Sequence, residues 1–254
     1  MNEKANHPVK ALEKTVAIVD LLKRRRGARL GTVADELSMH KSTVHNHLST
    51  LRQYEYVVKE GEEYRLSLQF LTVGGVLRQE IELYEVAKPK LDDLAAETGE
   101  LVTLATPERG LAVVLYRAKG DQAVAIDTHV GSEVPLHSSG LGKAILAHLP
   151  ANRVEEILTE RGLPAATPNT ITDEATLYEE LESVAHRGYA YDDEERWRGL
   201  GCVSAPIRSD DGAVRGAVSI SAPKSRIDSE AAREAYADEV MNVANIVELR
   251  VTYS

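Results

Sequence analysis

Apolar residues recur at helical spacing through the first third of the chain and then switch to short β-rich runs. Ala11–Lys23 carries Leu12, Val16 and Val19, with Ile18 and Leu22 beside them, and predicts a first helix closed by Arg24-Arg25-Arg26-Gly27. Val33, Ala34 and Leu37 give a second, short helix an apolar stripe, with Thr32 as its expected N-cap. Ser38-Met39-His40 leaves room only for a tight turn. Lys41–Gln53 follows with Val44, Leu48 and Leu51 on one face. Tyr56–Lys59 and Tyr64–Leu66 then bracket Glu60-Gly61-Glu62-Glu63 and read as a β-hairpin. Helix, helix, turn, helix, hairpin is the order of a winged helix-turn-helix.

The face of Lys41–Gln53 opposite its apolar stripe holds Ser42, Asn46, Ser49 and Gln53, flanked by Thr43 and Thr50, with no carboxylate. A helix that only had to be soluble normally carries Glu and Lys pairs there. Short donors and acceptors without negative charge suit a DNA major groove. A solvated helix hairpin in an all-α region is the plainer alternative, and the hairpin that follows disfavours it.

Beyond the hairpin, Leu68–Glu80 predicts a linker helix, bent or hinged at Gly74-Gly75. A helix from Tyr84 toward Glu97 is expected to break or kink at Pro89. Strands are expected at Leu101–Ala105, Ala112–Arg117 and Ala123–Thr128, and later at Cys202–Ile207 and Val214–Ser221. Helices are expected at Ser139–His148, Asn152–Arg161, Asp173–Arg187 and Ser229–Leu249. Strand pairs with short turns and inserted helices point to an antiparallel α+β sheet rather than a Rossmann fold. The domain division expected is 1–67, a linker helix at 68–82, and 83–254.

Charge sharpens this division. The 254 residues carry a net charge of −10, which alone argues against nucleic acid. Residues 1–68, however, hold 12 Lys and Arg against 9 Asp and Glu, whereas the remainder holds 18 against 31. The first part is the one suited to phosphate; the acidic body fits solubility in high salt. Hydrophobic residues make up 43% of the chain, and no apolar run nears the roughly 20 residues that span a bilayer. The start of the chain lacks a secretory signal core, so a cytoplasmic location is expected, without membrane association. The one cysteine, Cys202, excludes an internal disulfide framework. His45 and His47 diverge on a helix, and Asp192–Glu195 lacks a calcium-loop register, so neither a metal nor a cofactor is expected.

The chain resembles the IclR-type transcriptional regulators, including members from halophilic archaea, over nearly its whole length. The resemblance rests on Lys41–His45 with Leu48 and Thr50-Leu51, on Tyr56-Val57 and on Thr98-Gly99-Glu100. It continues through Pro135-Leu136-His137, Gly140, Gly142-Lys143-Ala144 and Gly188-Tyr189-Ala190. Asp192, Glu194-Glu195, Gly199, Cys202-Val203, Ala205-Pro206 and Gly216–Ser221 complete it. Departures from the family pattern stand at Asn46, Glu55, Leu141 and Ala222.

The resemblance implies a winged helix-turn-helix joined to a GAF-like effector-binding domain, acting as a dimer or tetramer on double-stranded operator DNA. It implies an effector site of Gly140 and Leu141 at a helix start, Asp192 on a loop, Cys202 on one strand, and Ser219 and Ser221 on the next. A carboxylate or sugar-derived acid fits the free helix N–H groups and two hydroxyls. Which face of their strand the serines occupy stays open by alternation alone. Base contacts are expected from Ser42, Thr43, His45 and Asn46, and phosphate contacts from Lys41 and Arg52. Two alternatives remain: an enzyme using Cys202 with a carboxylate, and a constitutive DNA-binding protein. No local motif ties His or acid to Cys202, and an enzyme is not expected.

Overall fold

The computed structural model describes residues 5–252 and divides into two compact units, the chain passing from one to the other between Glu80 and Ile81. In the first unit α1 (Lys10–Arg25), β1 (Ala28–Arg29), α2 (Leu30–Glu36) and α3 (Lys41–Gln53) precede the hairpin of β2 (Val57–Glu60) and β3 (Glu63–Leu66). The three strands form one antiparallel sheet in the order β1-β3-β2. Ile18, Leu21 and Leu22 of α1 pack with Val33, Ala34, Val44, Leu48, Val57 and Tyr64 in a small core.

Three local expectations are corrected here. The buried stripe of α1 is Ile18-Leu21-Leu22, while Leu12 and Val16 are 62% and 59% exposed. Only the C-terminal half of α1 meets the core, so the N-terminal apolar positions project outward. Thr32 does not cap α2: the helix begins at Leu30, directly after Arg29, whose pairing with Glu63 carries the chain from strand into helix. The linker helix is not interrupted at Gly74-Gly75, since α4 (Gln69–Gln79) runs through both glycines. None of α4's residues is buried, and Leu71, Val76 and Leu77 are among its exposed side chains.

The second unit opens with α5 (Glu82–Thr98), which continues past Pro89 and closes on Gly99 in the left-handed region, φ 74°. A six-stranded antiparallel sheet follows in the order β6-β5-β4-β9-β8-β7. Its strands are β4 (Leu101–Glu108), β5 (Leu111–Lys119), β6 (Glu133–Pro135), β7 (Ala190–Asp193), β8 (Leu200–Arg208) and β9 (Val214–Pro223). The chain passes α6 (Gly140–Leu146), α7 (Ala151–Arg161) and α8 (Glu174–Arg187) between β6 and β7. After β9 come the short α9 (Lys224–Ile227) and the long α10 (Glu230–Thr252).

Alternation along the strands builds two interiors. Val102, Leu104, Val203, Ala205, Val218 and Ile220 pack under α5 and α10. On the other face, Ala105, Ala112, Ala190 and Ala217 pack with the apolar side chains of α6, α7 and α8. The expected strand at Ala123–Thr128 does not form. Part of β5's free edge is taken instead by β6, which pairs Pro135 with Leu111 and Glu133 with Val113. Gly131 N–H donates to the Val114 carbonyl and Val114 N–H to Ser132, extending that contact. Arg117 also donates to the Thr128 carbonyl, so side chain and backbone satisfy the loop without a ladder.

Candidate functional sites: a DNA-reading helix and a polar row in the sheet

In the first unit α3 begins at Lys41, and His40 Nδ1 accepts from the Ser42 N–H at 3.3 Å. His40 Nδ1 also lies 2.7 Å from the Ser42 hydroxyl, so Ser42 already has a partner in its own helix cap. Val44 and Leu48 are buried, which turns Lys41, Ser42, His45, Asn46, Ser49, Arg52 and Gln53 outward; Thr43 is half-buried. The helix thus presents its uncharged polar face and two cations to solvent. His47 is held against α1 by a 2.9 Å contact with the Thr15 hydroxyl, a structural role separate from the exposed face. The wing turns at Gly61, φ 59°. Its tip is acidic, and Arg65 is tied to Glu60 and Glu63 at 3.5 and 3.1 Å. Arg25 pairs with Glu36, so the basic run closing α1 is partly engaged within the unit.

In the second unit the strand register assembles a polar row. Asp192 pairs with Cys202, and Cys202 with Ser221. Ser204 pairs with Ser219, Ser219 with Thr103, and Thr103 with Arg117. Directly opposed residues of antiparallel strands project to one face. All of these side chains therefore share the face under α6. Ser219 and Ser221 are only 2% and 5% exposed, and the open question of their face is settled inward. Val218 and Ile220 fill the opposite interior.

Asp192 stands on β7 rather than on a loop. Burial, with Glu195 beside it, pushes its carboxyl up to about 7, although Lys143 and the Glu195 N–H pull the other way. Cys202 donates to the Ser221 hydroxyl at 3.2 Å. Burial and then Asp192 push its thiol upward, so it stands as a protonated donor rather than a nucleophile. Gly140 opens α6 so close to β8 that a Cβ there would lie 2.5 Å from the Ser204 hydroxyl. Ser139 caps the helix by accepting from Gly142 N–H at 3.1 Å. Leu141 packs into the apolar cluster beneath the helices.

Sequence reasoning missed several of these groups. Thr103, Ser204 and Arg117 entered the row only through strand register, although Ser204 shares the Cys202 alternation and was readable from it. Lys143 is buried and bonds Glu195, Glu180 and the Tyr191 carbonyl at 2.5, 3.1 and 2.6 Å. This cluster underpins Asp192. A sequence alone shows Gly142-Lys143-Ala144 but not that the lysine points inward.

One unit is a helix-turn-helix with an exposed polar helix face and the other carries a buried polar row in its sheet, the arrangement of a two-domain DNA-binding regulator. Residues 11–61 match the IclR helix-turn-helix domain, and residues 76–248 match the C-terminal domain of the bacterial transcriptional regulator IclR. The chain belongs to the IclR family of transcriptional regulators, DNA-binding proteins with a C-terminal effector-binding domain rather than enzymes. It is 37% identical over 241 residues to the probable HTH-type transcriptional regulator ArcR of Halobacterium salinarum, covering 93% of this chain and 91% of ArcR. Its fold matches Thermotoga maritima IclR with a TM-score of 0.76 at 28% identity, over 95% and 96% of the two chains. It also matches an IclR homologue from Microbacterium hydrocarbonoxydans complexed with 4-hydroxybenzoate, at TM-score 0.82 and 22% identity, over 95% and 100%. Among the described residues no helix is long and apolar enough to cross a membrane.

Proposed function

We propose that this regulator reads a double-stranded operator through the exposed face of α3 and senses a small organic or sugar-derived acid in the polar row. Ser42, Thr43, His45 and Asn46 read base edges, and Lys41 and Arg52 hold phosphates. Gly140, Leu141, Asp192, Cys202, Ser219 and Ser221 receive the effector. The observation that carries this reading is the run of buried polar side chains on a sheet face otherwise lined by alanine and leucine. Such groups need partners, and a polar ligand supplies them. The hydroxy acid bound by the Microbacterium homologue has the same chemistry, and the likeness to that protein is one of fold.

The functional division is residues 1–67 for DNA, 68–82 as the linker and 83–254 for sensing and assembly. The fully unburied apolar surface of α4 favours pairing of two chains, and hence a homodimer or homotetramer in the cytoplasm where its DNA lies. A thermal-shift screen of organic and sugar-derived acids, followed by operator titration, tests the assignment. The double variant Ser219→Ala/Ser221→Ala is expected to raise the effective ligand concentration about ten- to a hundredfold. An unchanged midpoint places the effector elsewhere.

A further inference from the structure

Two side chains on the inner sheet face carry buried polar atoms without a protein partner. The Ser204 hydroxyl is buried with none, and so are Nε and Nη2 of Arg117. Only the third guanidinium nitrogen is engaged, with the Thr128 carbonyl. Register places the two at opposite ends of one line, Arg117–Thr103–Ser219–Ser204. Buried donors and hydroxyls without partners are rare in folded proteins, and a desolvated guanidinium is the costliest of them. Burial lowers the Arg117 pKa, and it has no ion-pair partner among the described residues.

We propose that Arg117 is the anchor for the carboxylate of the effector, which lies along this line with a hydroxyl or carbonyl at its Ser204 end. The inference rests on the polar row being the sensing site. It adds the polarity and the length of the ligand. At the Ser204 end Asp192, Glu195 and Lys143 already compensate one another, whereas the Arg117 guanidinium at the opposite end has no carboxylate partner among the described residues. The two Cα positions are three strand spacings apart, roughly 14 Å. A ligand satisfying both ends is therefore an elongated hydroxy or oxo acid, longer than a two-carbon acid.

The test uses the full chain with glycolate, 4-hydroxybutanoate, 6-hydroxyhexanoate and methyl 6-hydroxyhexanoate as probes in thermal-shift titrations. The longer acids are expected to stabilise the protein and the ester and glycolate to fail at the same concentration. Arg117→Gln should raise the midpoint about tenfold or more, with Arg117→Lys in between. A second measurement needs no ligand: Arg117→Met should melt at or above the wild type, because it removes a half-buried guanidinium that has no carboxylate partner among the described residues. A melting point several degrees lower for Arg117→Met shows a structural arginine and overturns the proposal. So does stabilisation of the wild type by none of the acids, or an unchanged midpoint in Arg117→Gln. If Arg117→Gln keeps the response while Ser219→Ala/Ser221→Ala loses it, the row remains the sensing site and only the Arg117 anchor falls.

Discussion

The Nζ of Lys143 lies 2.5 Å from Oε1 of Glu195, with both side chains nearly sealed from solvent. The second oxygen of Glu195 is buried without a protein partner, and Glu180 supplies a further contact to the lysine. Breaking such a pair from one side strands a charge in the interior. Lys143→Met is expected to cost about 3–5 kcal/mol in urea unfolding. Lys143→Met/Glu195→Leu should recover much of that loss. A single variant within about 1 kcal/mol of the wild type would show that water reaches the cluster.

Stability should also fall as pH rises toward neutrality. The Asp192 carboxyl titrates at about 7 in the folded chain and near 4 when unfolded. Between those values the folded state holds the extra proton, so raising pH removes stability, and the effect levels off above about pH 7. Glu195, pushed up mainly by burial, adds a slope of the same sign, while Lys143 opposes both. Asp192→Asn should reduce the slope of unfolding free energy between pH 5 and 7 by up to about 1.4 kcal/mol per pH unit. Identical slopes in variant and wild type would mean that Asp192 is ionised throughout.

Asn46 is exposed on α3, and among the described residues no hydrogen bond engages its side chain. Asn46→Ala should weaken operator binding by about 1–3 kcal/mol and random DNA much less. Lys41→Ala should weaken both and lower the salt slope by about one counterion. Ser42 is expected to contribute less than Asn46, because His40 already occupies its hydroxyl. Fluorescence anisotropy over a salt series measures all three, and equal losses on operator and random DNA for Asn46→Ala would remove its base-reading role.

Helix α3 was legible because its burial and its polar face have the same period: Val44 and Leu48 go inward and Asn46 follows outward. The first helix was misread for the opposite reason. Leu12 and Val16 share a helical stripe with Val19, yet the core reaches only as far as Ile18. At Thr32 a good capping residue lost to strand pairing at Ala28 and Arg29, which no local propensity encodes. Ala123–Thr128 has strand composition, but a three-residue segment further on took part of the available edge. Ser219 and Ser221 were found through family position, whereas Arg117 depends on a cross-strand register that one sequence does not display.

The central β4–β9 ladder carries one more implication. It joins the β4–β5 hairpin to the β8–β9 hairpin, which are far apart along the chain, and pairs Thr103 with Ser219. Loop closure of that length makes such a pairing entropically costly and slow to nucleate. Each hairpin holds only part of the polar row, so a half-folded chain lacks the site proposed for the effector. A small acid added during refolding should therefore leave the early steps untouched and act only as a brake on unfolding once the two hairpins have joined.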